Sequence, residues 1–244
     1  MPASDATPQP SDFAPYAGTV WRLVEAQHRI STNRLAASAE DQALLEDLVD
    51  AVKPTMPAVA RGLHYLLGTP FRYGHTTASR FRRAHERPGI FYASEHIATA
   101  LAETAYWRLL FFSRSPGFTP PTTVVEHSAF TVPVNLARAI DLTDTRWLAH
   151  AARWNDPVDY AACQQLATQA RQIGAQGLVY TSVRDPGRRR NLALFDPTGF
   201  AAPAPNIETT WHFRYEDGVL TTFAAFPSDT RYSFTFADFG ITAP

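Results

Sequence analysis

Residues 89–103 read Gly-Ile-Phe-Tyr-Ala-Ser-Glu-His-Ile-Ala-Thr-Ala-Leu-Ala-Glu, and this stretch decides the fold class. Gly89–Ala93 is a short apolar run with the composition of a buried strand. Ser94 is placed to cap a following helix, with Glu95 in its first turn, where a carboxylate suits the positive end of the helix dipole. The helix is expected to run to about Phe112 and to stop before Pro116-Gly117. On it, Glu103 shares an arc with Ala100, Trp107 and Leu110, at three, four and seven residues' distance. A carboxylate thus points along an apolar stripe. Burying an unpaired charge costs several kcal/mol, so the group has an arginine partner, sits at the stripe's edge or has a chemical role.

Outward from this unit the pattern stays mixed. Thr19–Val24 upstream and Thr122–Val134 downstream read as strands. Helices are expected at 40–52, where Leu44, Leu45, Leu48, Val49 and Val52 recur at helical spacing, and at 59–67, 144–154 and 157–173. Gly177–Thr181 and Asn191–Phe195 read as strands around a polar loop. Thr209–Tyr215, Val219–Phe226 and Tyr232–Phe236 alternate in the strand manner, with Asp217-Gly218 as a hairpin turn. Strands and helices without regular βαβ alternation indicate α+β rather than a doubly wound sheet. Residues 1–17, with Pro2, Pro8, Pro10 and Pro15, read as a flexible tail, and no linker divides residues 18–244.

Composition removes several function classes. Of 244 residues, 45% are hydrophobic and 12% aromatic, which suits a packed globular protein rather than a disordered one. Cys163 is the only cysteine, so intramolecular disulfides and cysteine-rich zinc sites are excluded. No apolar run approaches a membrane span and no secretory signal opens the chain, so a cytoplasmic location without membrane contact is expected. Lys53 is the only lysine among 22 basic residues, yet the net charge is −1. That balance argues against broad nucleic-acid binding. There is no G-x-G-x-x-G after a strand, no P-loop, no H-E-x-x-H and no G-x-S-x-G, and the eight histidines show no metal-ligand spacing.

Four further positions stand out. Arg80 and Arg82 flank Phe81 just upstream of the Tyr92 strand; they are either a solvated basic loop or the grip for a diphosphate. Tyr92 either stacks on a flat ring or packs in the core. Ser182, at the end of a strand, either hydrogen-bonds a ligand or starts the turn into Asp185-Pro-Gly187.

Taken together, Val20-Trp-Arg-Leu23, Ser79-Arg-Phe-Arg-Arg83, residues 89–103, Gly177–Gly187 and Asn191–Pro197 resemble the RES-domain family, named for its arginine, glutamate and serine. The matches fall within residues 20–197 in the family's order. The resemblance implies a single α+β domain, with a mixed or antiparallel sheet similar to ADP-ribosyltransferase folds and with helical insertions. It also implies the toxin of a bacterial toxin–antitoxin pair, with an Xre-like helix-turn-helix antitoxin as partner.

The activity implied is cleavage of the nicotinamide–ribose bond of NAD⁺, by hydrolysis or phosphorolysis, with NAD⁺ as substrate, no permanently bound cofactor and no metal. By the resemblance, Glu103, Arg80 and Ser182 are the catalytic set. Glu103 stabilises positive charge at the anomeric carbon, as in glycoside hydrolysis. Arg80 holds the pyrophosphate with Arg22 or Arg82, and Tyr92 stacks on a base. Arg72, in the insertion between the family's two arginines, is a further candidate for that grip. Two other readings stand beside this one: an ADP-ribosyltransferase acting on a cellular protein, and a non-catalytic module binding an acidic partner.

Overall fold

The computed structural model describes residues 7–25, 53–115 and 123–243, together with 38, 40, 41, 44, 45, 48, 117 and 119. The helix expected over 40–52 lies for the most part outside the described residues.

The longest strand organises the rest. β3 (Val125–Asp141) is rich in β-branched and apolar residues and is buried along most of its length. β1 (Ala14–Glu25) runs antiparallel along one side of it, from Ala14 opposite Ala139 to Glu25 opposite His127. Two strands divide its other side. β6 (Asn206–Glu216) pairs antiparallel with residues 125–131, and β4 (Gly177–Thr181) pairs parallel with residues 139–141. Pro133, which has no N–H to give, falls in the gap between them, where Phe200 bridges to Val134.

The remaining strands close a ring. β5 (Arg190–Leu194) joins β4, β2 (Phe91–Ser94) joins β5, and β2 meets β1 again through the single pair Ser94–Trp21. From β6 the sheet continues as a meander through β7 (Val219–Ala224) and β8 (Arg231–Thr235). The β6–β7 turn is the expected Asp217-Gly218, with φ of 49° and 81°. Two left-handed residues match the twist of the flanking strands.

Helices cover three faces. α1 (Tyr65–Arg72) puts Leu67 and Phe71 against Phe91, Val179, Leu192 and Leu194. α4 (Ala161–Gln172), preceded by the single turn α3 (Ala151–Trp154), puts Leu166 and Ala170 against Leu178, Tyr180 and Ala193. Leu178 and Val179 face opposite layers, as a period of two requires. α2 (Ile97–Ser113) packs Leu101, Ala105, Leu109 and Phe112 against Trp211, Phe213, Leu220 and Phe234 of the meander. No helix among the described residues is long and apolar enough to cross a membrane.

This is the expected α+β architecture with a mixed sheet, and it corrects local readings. The boundary placed at residue 17 lies inside β1, which begins at Ala14 because Tyr16 already pairs with Leu136 and donates to Glu95 at 3.1 Å. The helix expected at 59–67 is a short 3₁₀ turn at Ala58–Ala60 followed by α1, and the one expected at 144–154 is a 3₁₀ turn at Thr145–Trp147 followed by α3. Ser94 does not cap α2. His96 occupies the cap position, because Ser94 is still in the ladder opposite Asn191 and bonds that residue's side chain.

Candidate functional site

The ring of strands has one weak seam. β1 and β2 share a single pair, and beyond it the Arg22 side chain takes the place of the ladder, donating from Nη1 to the Tyr92 carbonyl at 3.1 Å over the Phe91 ring. Burial lowers the Arg22 pKa to about 10. A cavity of about 370 Å³ opens at this seam, within the ordinary range for a small-molecule site. Its walls include Trp21 and Arg22 of β1, Tyr92 and Ser94 of β2, Glu103 and Tyr106 of α2, Arg80 and Arg82, Tyr180 of β4, Arg184, and Asn191 of β5.

Among the described residues, Glu103 is the only carboxylate on these walls. Its Oε1 accepts from Ser182 Oγ and from Asn191 Nδ2, each at 2.7 Å. Ser182 is fully buried, and its Oγ also accepts the backbone N–H groups of Arg184 and Asp185, at 3.1 and 3.0 Å. Asn191 is held in turn by Ser94, whose hydroxyl donates to Oδ1 at 2.7 Å. The amide orientation follows from its neighbours, since the nitrogen must face the carboxylate and the oxygen the hydroxyl. Both fixed bonds fall on one oxygen of Glu103, and Oε2 accepts none among the described residues. Ser182 thus takes the turn-anchoring role of the two open in the sequence; it is not on the cavity wall, and its hydroxyl goes to Glu103 rather than toward a ligand.

The arginines sort differently from expectation. Arg80 is buried and donates to the Thr181 and Trp154 carbonyls at 2.9 and 2.6 Å and to Asn155 Oδ1 at 3.0 Å, with its guanidinium over the Tyr180 ring. Arg82 donates to the carbonyls of His75, Arg83 and Thr77. These two line the cavity while tying loops together. Arg72 ends α1, donates to the Pro54 carbonyl and does not line the cavity, so the structure does not bring it to the site. Tyr92 lines the cavity with its hydroxyl shared with Ser79 at 2.9 Å and accepting the Phe81 N–H, and burial raises its pKa.

The electrostatic contrast is sharp. Outside the cavity, Arg189, Arg190, Arg146 and Arg214 pair with carboxylates. Arg22, Arg80, Arg82 and Arg184 make no ion pair among the described residues, so the cavity is a positive pocket with one acid in it. His75 joins its wall, with its pKa lowered by burial and then by Arg82 and Arg22, so it adds no charge near neutral pH.

Sequence reasoning missed Asn191 and Arg184. The signal for Asn191 was a lone amide heading an otherwise apolar strand. For Arg184 it was a charge two residues after a serine already singled out. Beside them, Asp185 is buried, with Oδ2 accepting from Thr99 Oγ1 and Arg189 Nε, each at 2.7 Å. Burial pushes its carboxyl up, but bonds from Arg189, Thr99 and the Gly187 N–H overcome that and hold it well below the usual carboxylate range. This cluster fixes the 182–189 loop that carries Ser182 and Arg184.

The family model described as the RES domain matches residues 56–216. That span holds Arg80, Tyr92, Glu103, Ser182 and Asn191, whereas Arg22 precedes it. No curated protein has a matching sequence. The chain is similar to a chain in the crystal structure of the M. tuberculosis MbcT–MbcA toxin–antitoxin complex, with 13% identity, a TM-score of 0.46, and coverage of 82% of this chain and 86% of that one.

Proposed function

The chain belongs to the RES-domain family, and from that premise we propose that it is the toxin of a toxin–antitoxin pair that breaks the nicotinamide–ribose bond of NAD⁺. The observation that carries this reading is that, among the described residues, the cavity wall holds one carboxylate, Glu103, with four guanidiniums that make no ion pair and several aromatic rings. NAD⁺ offers the complement: a diphosphate for the arginines, flat bases for the rings, and a ribose whose anomeric carbon becomes cationic as the glycosidic bond breaks.

In this mechanism Glu103 faces the ribose with Oε2 while Ser182 and Asn191 hold Oε1. A fixed anion needs no reorganisation when positive charge develops at the anomeric carbon. Nicotinamide leaves as a neutral base with the bonding electron pair, and water or phosphate supplies the oxygen that completes the ribose. The antitoxin is proposed to be an Xre-like helix-turn-helix protein.

The test is incubation with NAD⁺, with and without phosphate, followed by identification of the products. Nicotinamide with ADP-ribose, or with its 1-phosphate, supports the reading. Label from the ADP-ribose half retained on protein points to the transferase, and no nicotinamide release with salt-sensitive binding to an acidic protein points to the binding module. Glu103→Gln keeps an oxygen that accepts from Ser182 and Asn191, so it should fold normally and lose NAD⁺ turnover. Turnover of E103Q at the wild-type rate would sink the assignment.

A further inference from the structure

We infer that Arg184 is a ligand-gripping residue that joins Arg22 on the phosphates of the substrate; this rests on the NAD⁺ reading of the same cavity and names a contact it requires. Arg80 and Arg82 each give three hydrogen bonds to oxygens of the protein, through both Nη atoms, and the one Arg80 donor without a partner among the described residues, Nε, is buried. Their donors are largely committed to holding loops. Arg184 uses Nη2 alone, toward the Pro157 carbonyl and the Tyr160 hydroxyl, the latter at 2.8 Å. Its Nε and Nη1 donate to nothing among the described residues, although the residue is only 5% exposed.

The charge balance points the same way. Every described partner of the Arg184 guanidinium is neutral: a carbonyl, a phenol, and the face of Tyr106 at 3.4 Å from the ring centre. The adjacent carboxylate, Asp185, is engaged with Arg189 and Thr99 instead. Nε and Nη1 of Arg184 are not sealed inside the protein, and the residue lines the cavity, so an anion arriving there meets free donors on a charge with no ion-pair partner among the described residues. The ring fixes the guanidinium plane before the ligand arrives, so less side-chain freedom is lost on binding.

Placement fits the chemistry. Tyr106 follows Glu103 by three residues on α2, close to one helical turn, or about 5 Å along the axis. Glu103, the Tyr106 ring and the Arg184 guanidinium it carries line the same cavity, so the carboxylate and the guanidinium are placed to address one ligand.

The experiment compares NAD⁺ with nicotinamide riboside, which has the same scissile bond and no phosphate, and measures ADP binding by calorimetry. Arg184→Met should lower the preference for NAD⁺ over the riboside, and the affinity for ADP, by about tenfold or more, the loss expected for one charge-assisted contact. A purely structural role would lower turnover of both substrates together and leave their ratio in place. Arg184→Lys keeps the charge but not the planar fork, and should fall between. If R184M does not fold, R184K carries the test through a severalfold loss of ADP affinity. Wild-type preference and wild-type ADP affinity in the folded variant would overturn the inference, as would a wild-type protein that binds no ADP. A wild-type protein that binds ADP yet releases no nicotinamide overturns the activity instead, and the ADP series still decides the role of Arg184.

Discussion

The Ser182 hydroxyl donates to Oε1 of Glu103 at 2.7 Å, joining residues 79 positions apart in the chain. The same oxygen atom of Ser182 accepts two backbone N–H groups, so it fixes the carboxylate and the following turn at once. Ser182→Ala removes one partner of Glu103 and leaves two buried N–H groups without an acceptor. The expected cost is about 1–3 kcal/mol of stability, together with slower NAD⁺ loss. Chemical denaturation and nicotinamide release measure the two effects. Unchanged stability would show that the turn does not depend on this hydroxyl.

Asn191 acts on Glu103 without needing to touch the ligand. Asn191→Ala frees the carboxylate on one side and strands the Ser94 hydroxyl. The expected outcome is a fall in kcat with KM little changed, because a positioning residue is felt when charge develops rather than when substrate binds. Steady-state kinetics of nicotinamide release separate the two parameters. A rise in KM alone would place Asn191 on the ligand.

Asp185 links stability to pH. Its carboxyl titrates well below the usual range in the folded protein, whereas in the unfolded chain it titrates near 4. A depressed folded-state pKa contributes stability above the unfolded value and loses it as pH falls toward the folded one. The melting temperatures of the wild type and Asp185→Asn should differ most near neutral pH and converge as pH drops below about 4. A gap that widens in acid would contradict the arrangement.

Arg80 holds the carbonyls of Thr181 and Trp154 and the amide oxygen of Asn155. Lysine cannot reproduce that planar geometry. Arg80→Lys should therefore destabilise the protein by about 1–3 kcal/mol, as expected when buried acceptors lose their donor. Thermal unfolding checks this. An unaltered melting temperature combined with lost ADP affinity would make Arg80 a ligand contact rather than a tie between loops.

Several elements were legible in the residues alone because their causes are local. Gly177–Thr181 was found with its exact bounds, since a short apolar run at the end of a helix pattern has few alternatives. The Asp217-Gly218 turn was equally plain, because few residue pairs accept positive φ twice in succession. Elements with remote partners were misplaced. Ser94 has the chemistry of a helix cap, but the side chain opposite it on β5 claims its hydroxyl. The start of β1 was hidden among prolines because its stability comes from a strand more than a hundred residues away.

By itself, the sequence determined the α+β class, the absence of a Rossmann or P-loop motif, and a candidate set of Glu103, Arg80, Ser182, Tyr92, Arg22, Arg72 and Arg82. Periodicity, turn chemistry and the order of short motifs lie along the chain and survive without a fold. Only the tertiary structure decided which donors are already committed. It showed Arg80 and Arg82 bound to carbonyls, Arg72 outside the cavity, Arg184 buried with no ion pair among the described residues, and Asn191 sharing one carboxylate oxygen with Ser182. A hydrogen bond depends on distance and angle between groups that folding brings together, and no spacing in the chain encodes either quantity.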